Sequence, residues 1–353
     1  MALFTGPYAN PLRSSADLTM QTALDATRQT LSLAGAPNVD SLALIVVALT
    51  GFEQTTNHPW AGLREHEEHY SGSLIKVAAM YAAFDLRASA DQLATDGSLT
   101  TWPQIEAALR SSFDPDIDTH TPPLISGSPL LGPQDKTRKP NYSAVLQLGA
   151  GGDFVVDFTQ TQRNAFEDMM VQQHNPGATT TIHGLGYPYL NGKIADDGFF
   201  DGVGEGLWLA GDYAGQWPAA RIPCVNDQDT AQGTTVWHLA MLLTLLADDM
   251  LVGTLSSGGM KDLMARAGKF FPQTNPPIWP ANGRFVPTHG KVGIGPLKSG
   301  KSTFSEGLIL HDTLRNIKFV VAWQNVVQNA QTQLQLFQPV ATLIEATINA
   351  FVP

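Results

Sequence analysis

The sequence predicts an α+β fold: an antiparallel sheet assembled from both chain ends, covered by terminal helices, with a large helical subdomain inserted between its strands. Three observations predict it. Residues 41–49 (SLALIVVAL) are a short, β-branched run bounded by polar residues, the pattern of a strand buried on both faces. Strong strand patterns return only after Arg284, where residues 286–295, 306–311 and 317–323 (IKFVVAW) follow closely. Helical patterns dominate between these two regions, and a helix flanks the sheet at each end.

Taken in order, residues 15–34 read as a helix. Ser15 and Asp17 supply capping oxygens, and Leu18, Ala23, Leu24, Ala26 and Leu31 form an apolar stripe. After the first strand, a turn-rich link over 50–59 leads to a second, poorer strand. Residues 73–88 form a buried helix, because 77–84 (VAAMYAAF) are small and apolar throughout. A further helix covers 102–111. Residues 113–142, rich in Pro, Asp and Gly and without periodicity, read as a surface insertion placed to act as a lid. Residues 158–173 are helical, with Phe166, Met169 and Met170 on one side. Residues 184–192 (GLGYPYLNG) read as a turn cluster, and 202–229 as irregular chain dense in Gly, Pro and aromatics. Residues 235–250 form an amphipathic helix with Val236, Leu239, Leu242, Leu243 and Leu246 inward. A long helix closes the chain, kinked near Pro339. The expected organisation is a discontinuous sheet subdomain, 1–72 with 286–353, and a mainly helical subdomain, 73–285.

The 353 residues, 43% hydrophobic and only 15% charged, are enough for a large core. A net charge of −11 argues against nucleic acid and anionic membrane surfaces as partners. Cys224 is the single cysteine, so no internal disulfide is expected. No run is long and apolar enough to span a membrane. The opening MALFTGPY lacks a basic stretch followed by a hydrophobic core, so no signal peptide is expected. Low charge with many Gly, Pro and Thr residues favours a mature exported bacterial protein, periplasmic or extracellular, over a cytoplasmic one.

The candidate chemistry centres on Ser73-Leu74-Ile75-Lys76. A lysine three residues after a serine shares its helix face, with the amine in reach of the hydroxyl. Burial lowers a lysine pKa, and a neutral amine can take the serine proton. The structural alternative is a snorkelling lysine beside a capping serine. Other motifs weigh less. Residues 65–69 (EHEEH) lack the zincin spacing and read as a solvated loop. Asp114, Asp116 and Asp118 alternate as in a calcium loop, but its glycine and terminal glutamate are missing. Residues 295–302 (GPLKSGKS) satisfy the phosphate-binding P-loop pattern, yet strand-like residues follow where a helix is required, so the loop reads as a basic hairpin tip. No metal or organic cofactor is implied.

Residues 64–87 resemble the nucleophile segment of the penicillin-recognising serine enzymes, the class A β-lactamases and penicillin-binding proteins, whose Ser-x-x-Lys opens a central buried helix. The element order resembles the same fold over nearly the whole chain. The resemblance implies two further elements. For the Ser-x-Asn or Tyr-x-Asn triplet, Gln173-His174-Asn175 is the favoured match, with Gln173 where the serine should stand. His174 or a tyrosine from nearby is the candidate substitute for its hydroxyl, and Tyr189-Leu190-Asn191 is the competing match. For the Lys-Thr-Gly strand, Lys291-Val292-Gly293 is favoured over Lys298-Ser299-Gly300. By analogy, the backbone N–H groups of Ser73 and Ile294 form the oxyanion hole. Residues 222–235 resemble the end of the class A omega loop, but 211–217 carry no glutamate, and Asp212 is their only carboxylate. The implied activity is serine acyl hydrolysis of an ester, amide or β-lactam, on a small or peptide-like substrate. The alternatives are an inactive binding descendant of the fold and, least favoured, a P-loop nucleotide-binding protein.

Overall fold

The computed structural model describes residues 2–50, 57–151 and 154–353, so the link expected at 50–59 lies largely outside the described residues. The elements that position the site are α1 (Leu18–Leu33), β1 (Ala43–Leu49), β2 (Trp60–Leu63), α2 (Lys76–Asp96), α3 (Trp102–His120), α4 (Asn175–Leu185), α5 (Tyr187–Asp196), α6 (Val236–Ala247), α7 (Thr254–Arg266), β3 (Phe285–Pro296), β4 (Ser302–Asp312), β5 (Ile317–Val327) and α8 (Gln333–Ala350). The sheet has the order β3-β4-β5-β1-β2, with every pairing antiparallel. Strands from the two chain ends meet where Val46 of β1 lies opposite Val321 of β5.

Both faces of the sheet are covered, which is why β1 reads as an unbroken apolar run. Leu44, Val46, Val321 and Trp323 face the terminal helices, packing with Met20, Leu24, Phe337 and Ile344. Ile45, Val47, Val320 and Ala322 face the helical block, against a core that includes Leu239 and Leu243 of α6. Helix α2 runs through that block, buried continuously from Lys76 to Arg87.

Several elements differ from expectation. The first helix buries Met20 and Leu24 and packs Leu31 beside them, so the expected stripe holds at Leu24 and Leu31, while Leu18 is 81% exposed and Ala26 is exposed. The stretch 113–142 is not a lid. Helix α3 continues through Pro115, three short helices follow, and Phe113, Ile117, Ile125 and Tyr142 belong to the main core. Prolines mislead here because Pro123 and Pro133 occupy first helical turns, where a missing N–H costs nothing. Its aspartates are already bonded: Asp114 accepts from Tyr142 Oη at 2.8 Å, Asp116 from Leu3 N at 3.2 Å, and Asp118 pairs with Lys139. The turn cluster at 184–192 is instead the junction of α4 and α5, hinged at Gly186 with φ +75°. The expected helix at 158–173 is a strand end, a helix Gln160–Phe166 and a π-helical turn Glu167–Val171. In the 65–69 loop, Glu68 and His69 are buried, and Glu68 Oε2 accepts from Gly206 N at 2.9 Å. The P-loop match is the tip of the β3–β4 hairpin, closed by Leu297 N donating to Lys301 O at 2.8 Å, with strand at Ser302 instead of a helix.

Candidate active site

Three glycines bring the turn before α2 onto the backbone of β3. Gly72 has φ +59°, a left-handed conformation that only glycine adopts freely. A methyl group on Gly72 would collide with the Ile294 carbonyl, one on Gly293 with Ser71 O and Leu74 N, and one on Gly295 with the Tyr70 ring. Ser305 Oγ of β4 donates to Ser71 O at 2.7 Å and locks the turn to the hairpin. Residues Gly72–Ile75 form a 3₁₀ turn leading into α2. Ser73 is half-buried at its surface and Lys76 is fully buried one turn on.

Lys76 Nζ donates to Asn175 Oδ1 at 2.9 Å and to His174 O at 3.1 Å. It also lies 4.5 Å from the ring centroid of Tyr213, whose hydroxyl donates to Gly72 O at 3.1 Å. Among the described residues, no hydrogen bond joins it to Ser73 Oγ and no carboxylate pairs with it. Burial pushes its pKa down to about 8, against a weaker opposing pull from Asp168. Lys291 is also fully buried, and its Nζ donates to Val292 O at 2.9 Å. Burial first, and the charge of Lys76 second, push it down to about 7. The site therefore holds two buried amines that oppose each other's protonation.

Asn175 reaches Lys76 because of Asp168, a residue of the π-helical turn. Asp168 Oδ2 accepts from Gly177 N at 2.7 Å, its Oδ1 bonds His174 Nδ1 at 2.8 Å, and its carbonyl accepts from His174 N at 2.9 Å. These bonds hold the first turn of α4 so that Asn175 faces the amine. His174 thus contributes its carbonyl, while its ring stays exposed beside Asp168. Gln173 has φ +63°, and its amide lies against Gly268.

The likeness to solved structures covers nearly the whole chain. A TLA-1 extended-spectrum β-lactamase matches at TM-score 0.55 and 11% identity, over 93% of this chain and 99% of that one. A β-lactamase from Chitinophaga pinensis matches at 0.54 and 10%, over 93% and 97%. A class A representative from Bacteroides cellulosilyticus matches at 0.54 and 12%, over 95% and 100%. The chain has the class A β-lactamase fold. At such low identity the likeness is one of fold. No family model matches the sequence, and neither does any curated protein sequence.

Within this β-lactamase fold, the structure gathers Ser73, Lys76, Asn175, Lys291 and Gly293 around one turn, with Ile294 beside them, 49% exposed. Three other candidates are corrected to structural roles. Tyr189 Oη donates to Ala82 O at 3.0 Å and to Asp85 Oδ2 at 3.2 Å, deep in the helical block. Asn191 donates to Leu209 O at 2.9 Å and accepts from Leu209 N at 3.0 Å, pinning the irregular stretch to α5. Asp212 is buried against His183 Nε2 at 2.9 Å and accepts from the N–H groups of Gln216 and Trp217. The competing Lys298 sits in the hairpin turn and donates to Gln228 Oε1 at 2.9 Å. Sequence reasoning missed Tyr213 and Asp168. Tyr213 stands in the segment searched for a carboxylate, one residue after Asp212. Nothing in local spacing marks Asp168.

Proposed function

We propose that the chain is a serine hydrolase acting through an acyl-enzyme on an ester, amide or β-lactam carbonyl, with Ser73 as nucleophile and Lys76 as its base. The observation that carries this reading is Lys76: a buried lysine, one turn after a half-buried serine, held by an amide oxygen and a carbonyl. With a pKa of about 8, roughly a tenth of it is free amine at pH 7, against a few parts in ten thousand for an ordinary lysine.

In the reaction, the Lys76 amine takes the Ser73 Oγ proton as Oγ bonds to the carbonyl carbon. The N–H groups of Ser73 and Ile294 receive the developing oxyanion. Collapse expels the alcohol or amine, which takes the proton from Lys76 and leaves acyl-Ser73. Water then adds to the acyl carbon, giving a proton to Lys76, and Ser73 departs with that proton. Asn175 orients the amine, and Lys291 supplies a cation for a substrate carboxylate. The two lysines titrate as a coupled pair, so an anion on Lys291 alters the protonation of Lys76. Because Tyr213 and no carboxylate lies against Lys76 from the 211–217 segment, deacylation relies on Lys76 alone, with no second base to activate the water, and the acyl-enzyme is expected to persist.

The rate of Ser73 labelling by an uncharged fluorophosphonate tests this directly. The reactive form is the neutral amine, whose fraction grows as pH rises through the Lys76 pKa. The rate should therefore climb about tenfold from pH 7 to pH 9 and then level off. A flat or falling profile would remove Lys76 as the base. The second reading, a binding protein without turnover, is favoured by one feature: Gln173 offers no hydroxyl to relay a proton to the leaving group.

A further inference from the structure

A second cavity, of about 350 Å³, opens between α2, α7 and the segment 154–167. It lies two to three turns along α2 from Lys76, about 12–16 Å away by helical rise. Its walls mix the apolar Phe84, Phe154, Phe158, Phe166, Leu255 and Leu263 with the charged Arg87, Asp157, Arg163, Glu167 and Arg266. The volume falls in the range of small-molecule sites.

Among the described residues, three arginines line it, and two are paired. Arg163 pairs with Asp157, and Arg266 Nη1 donates to Glu167 Oε1 at 2.7 Å. Arg87 differs. It is only 3% exposed, its guanidinium stacks 3.8 Å from the Phe154 ring centroid, and Nη2 donates to Ser256 Oγ at 2.6 Å. Among the described residues, its Nη1 is buried with no hydrogen-bond partner. Asp91 and Asp157 lie close enough to favour its charge, but Asp91 Oδ1 is taken by the N–H groups of Val155 and Val156, and Asp157 by Arg163. A buried cationic donor without a partner is costly, and a carboxylate is the group that matches it. The aromatic walls select against a bare inorganic anion and favour an apolar body attached to that carboxylate.

We propose that this cavity is a binding site for a small carboxylate with an apolar body, its carboxylate meeting Arg87 once a small rotation of the guanidinium opens the buried Nη1 to the cavity, and its hydrocarbon against the phenylalanines. The proposal is independent of the chemistry at Ser73, because binding is read directly. The test is calorimetric titration of the full chain with octanoate and, separately, octan-1-ol, on wild type, Arg87→Met and Leu255→Asp. Leu255 is 59% exposed at the rim, so the third protein folds whether or not the second does. Wild type should bind octanoate at least about tenfold more tightly than octanol, through the charge-assisted contact. Arg87→Met should erase that preference and leave octanol binding unchanged. Leu255→Asp should weaken octanoate by about tenfold through charge repulsion at the mouth. No octanoate binding to wild type, or octanoate affinity unchanged in both variants, would overturn the proposal.

Discussion

Replacing Lys76 with methionine is expected to slow acylation of Ser73 by at least about 10³-fold without unfolding the protein. Methionine keeps the straight apolar stem that packs in α2 and removes only the amine. No carboxylate is left unpaired, and the freed oxygens, those of Asn175 and the His174 carbonyl, belong to exposed residues that water can reach. Lys76→Arg should fail as well, since a guanidinium does not shed its proton near neutral pH. Rates of fluorophosphonate labelling on folded variants check both. A loss smaller than about tenfold in either variant would mean that the amine is not the base.

Lys291→Met should stabilise the protein. Lys291 is buried with one carbonyl as its partner and a second cation nearby, so its charged form is held at a cost. Its pKa is about 7 in the folded chain and near 10.5 when unfolded. The penalty is therefore full below pH 7 and is relieved as pH rises from 7 towards 10.5. The variant should exceed wild type by roughly 2–4 kcal/mol at pH 6–7, and the gap should shrink at pH 9–10. Denaturant midpoints at the two pH values measure it. The same variant should lose affinity for carboxylate-bearing substrates, the trade of stability for activity found where a site holds an unfavourable charge. A variant less stable than wild type at pH 7 would show that Lys291 is structural.

The parts legible in the sequence were those set by local pattern. The apolar run at β1, the two hairpins after Arg284, the buried helix after Ser73 and the hairpin tip at 297–301 follow from burial and turn chemistry over short windows. The helical block was harder. Its prolines sit in first turns, and its glycines at 184–192 serve helix packing and a single hinge, so residues that usually end helices were inside them. At the site, Ser73 and Lys76 stood out because a buried lysine one turn after a serine has few structural uses, and Lys291 because its strand resembles the Lys-Thr-Gly motif. Tyr213 and Asp168 did not, since their contacts with Lys76 and α4 come only from tertiary packing. Tyr189-Leu190-Asn191 matched a motif letter for letter, but it lies in α5, where both polar side chains bond inside the helical block.

The central claim, an activated Ser73, is tested most directly by intact mass after incubation with a penicillin and, separately, with a fluorophosphonate, on wild type and on Ser73→Ala. The expected result is a single adduct on wild type with at least one reagent, slow to disappear for the penicillin, and no adduct on Ser73→Ala. No adduct from either reagent, or one that survives in Ser73→Ala, would contradict it.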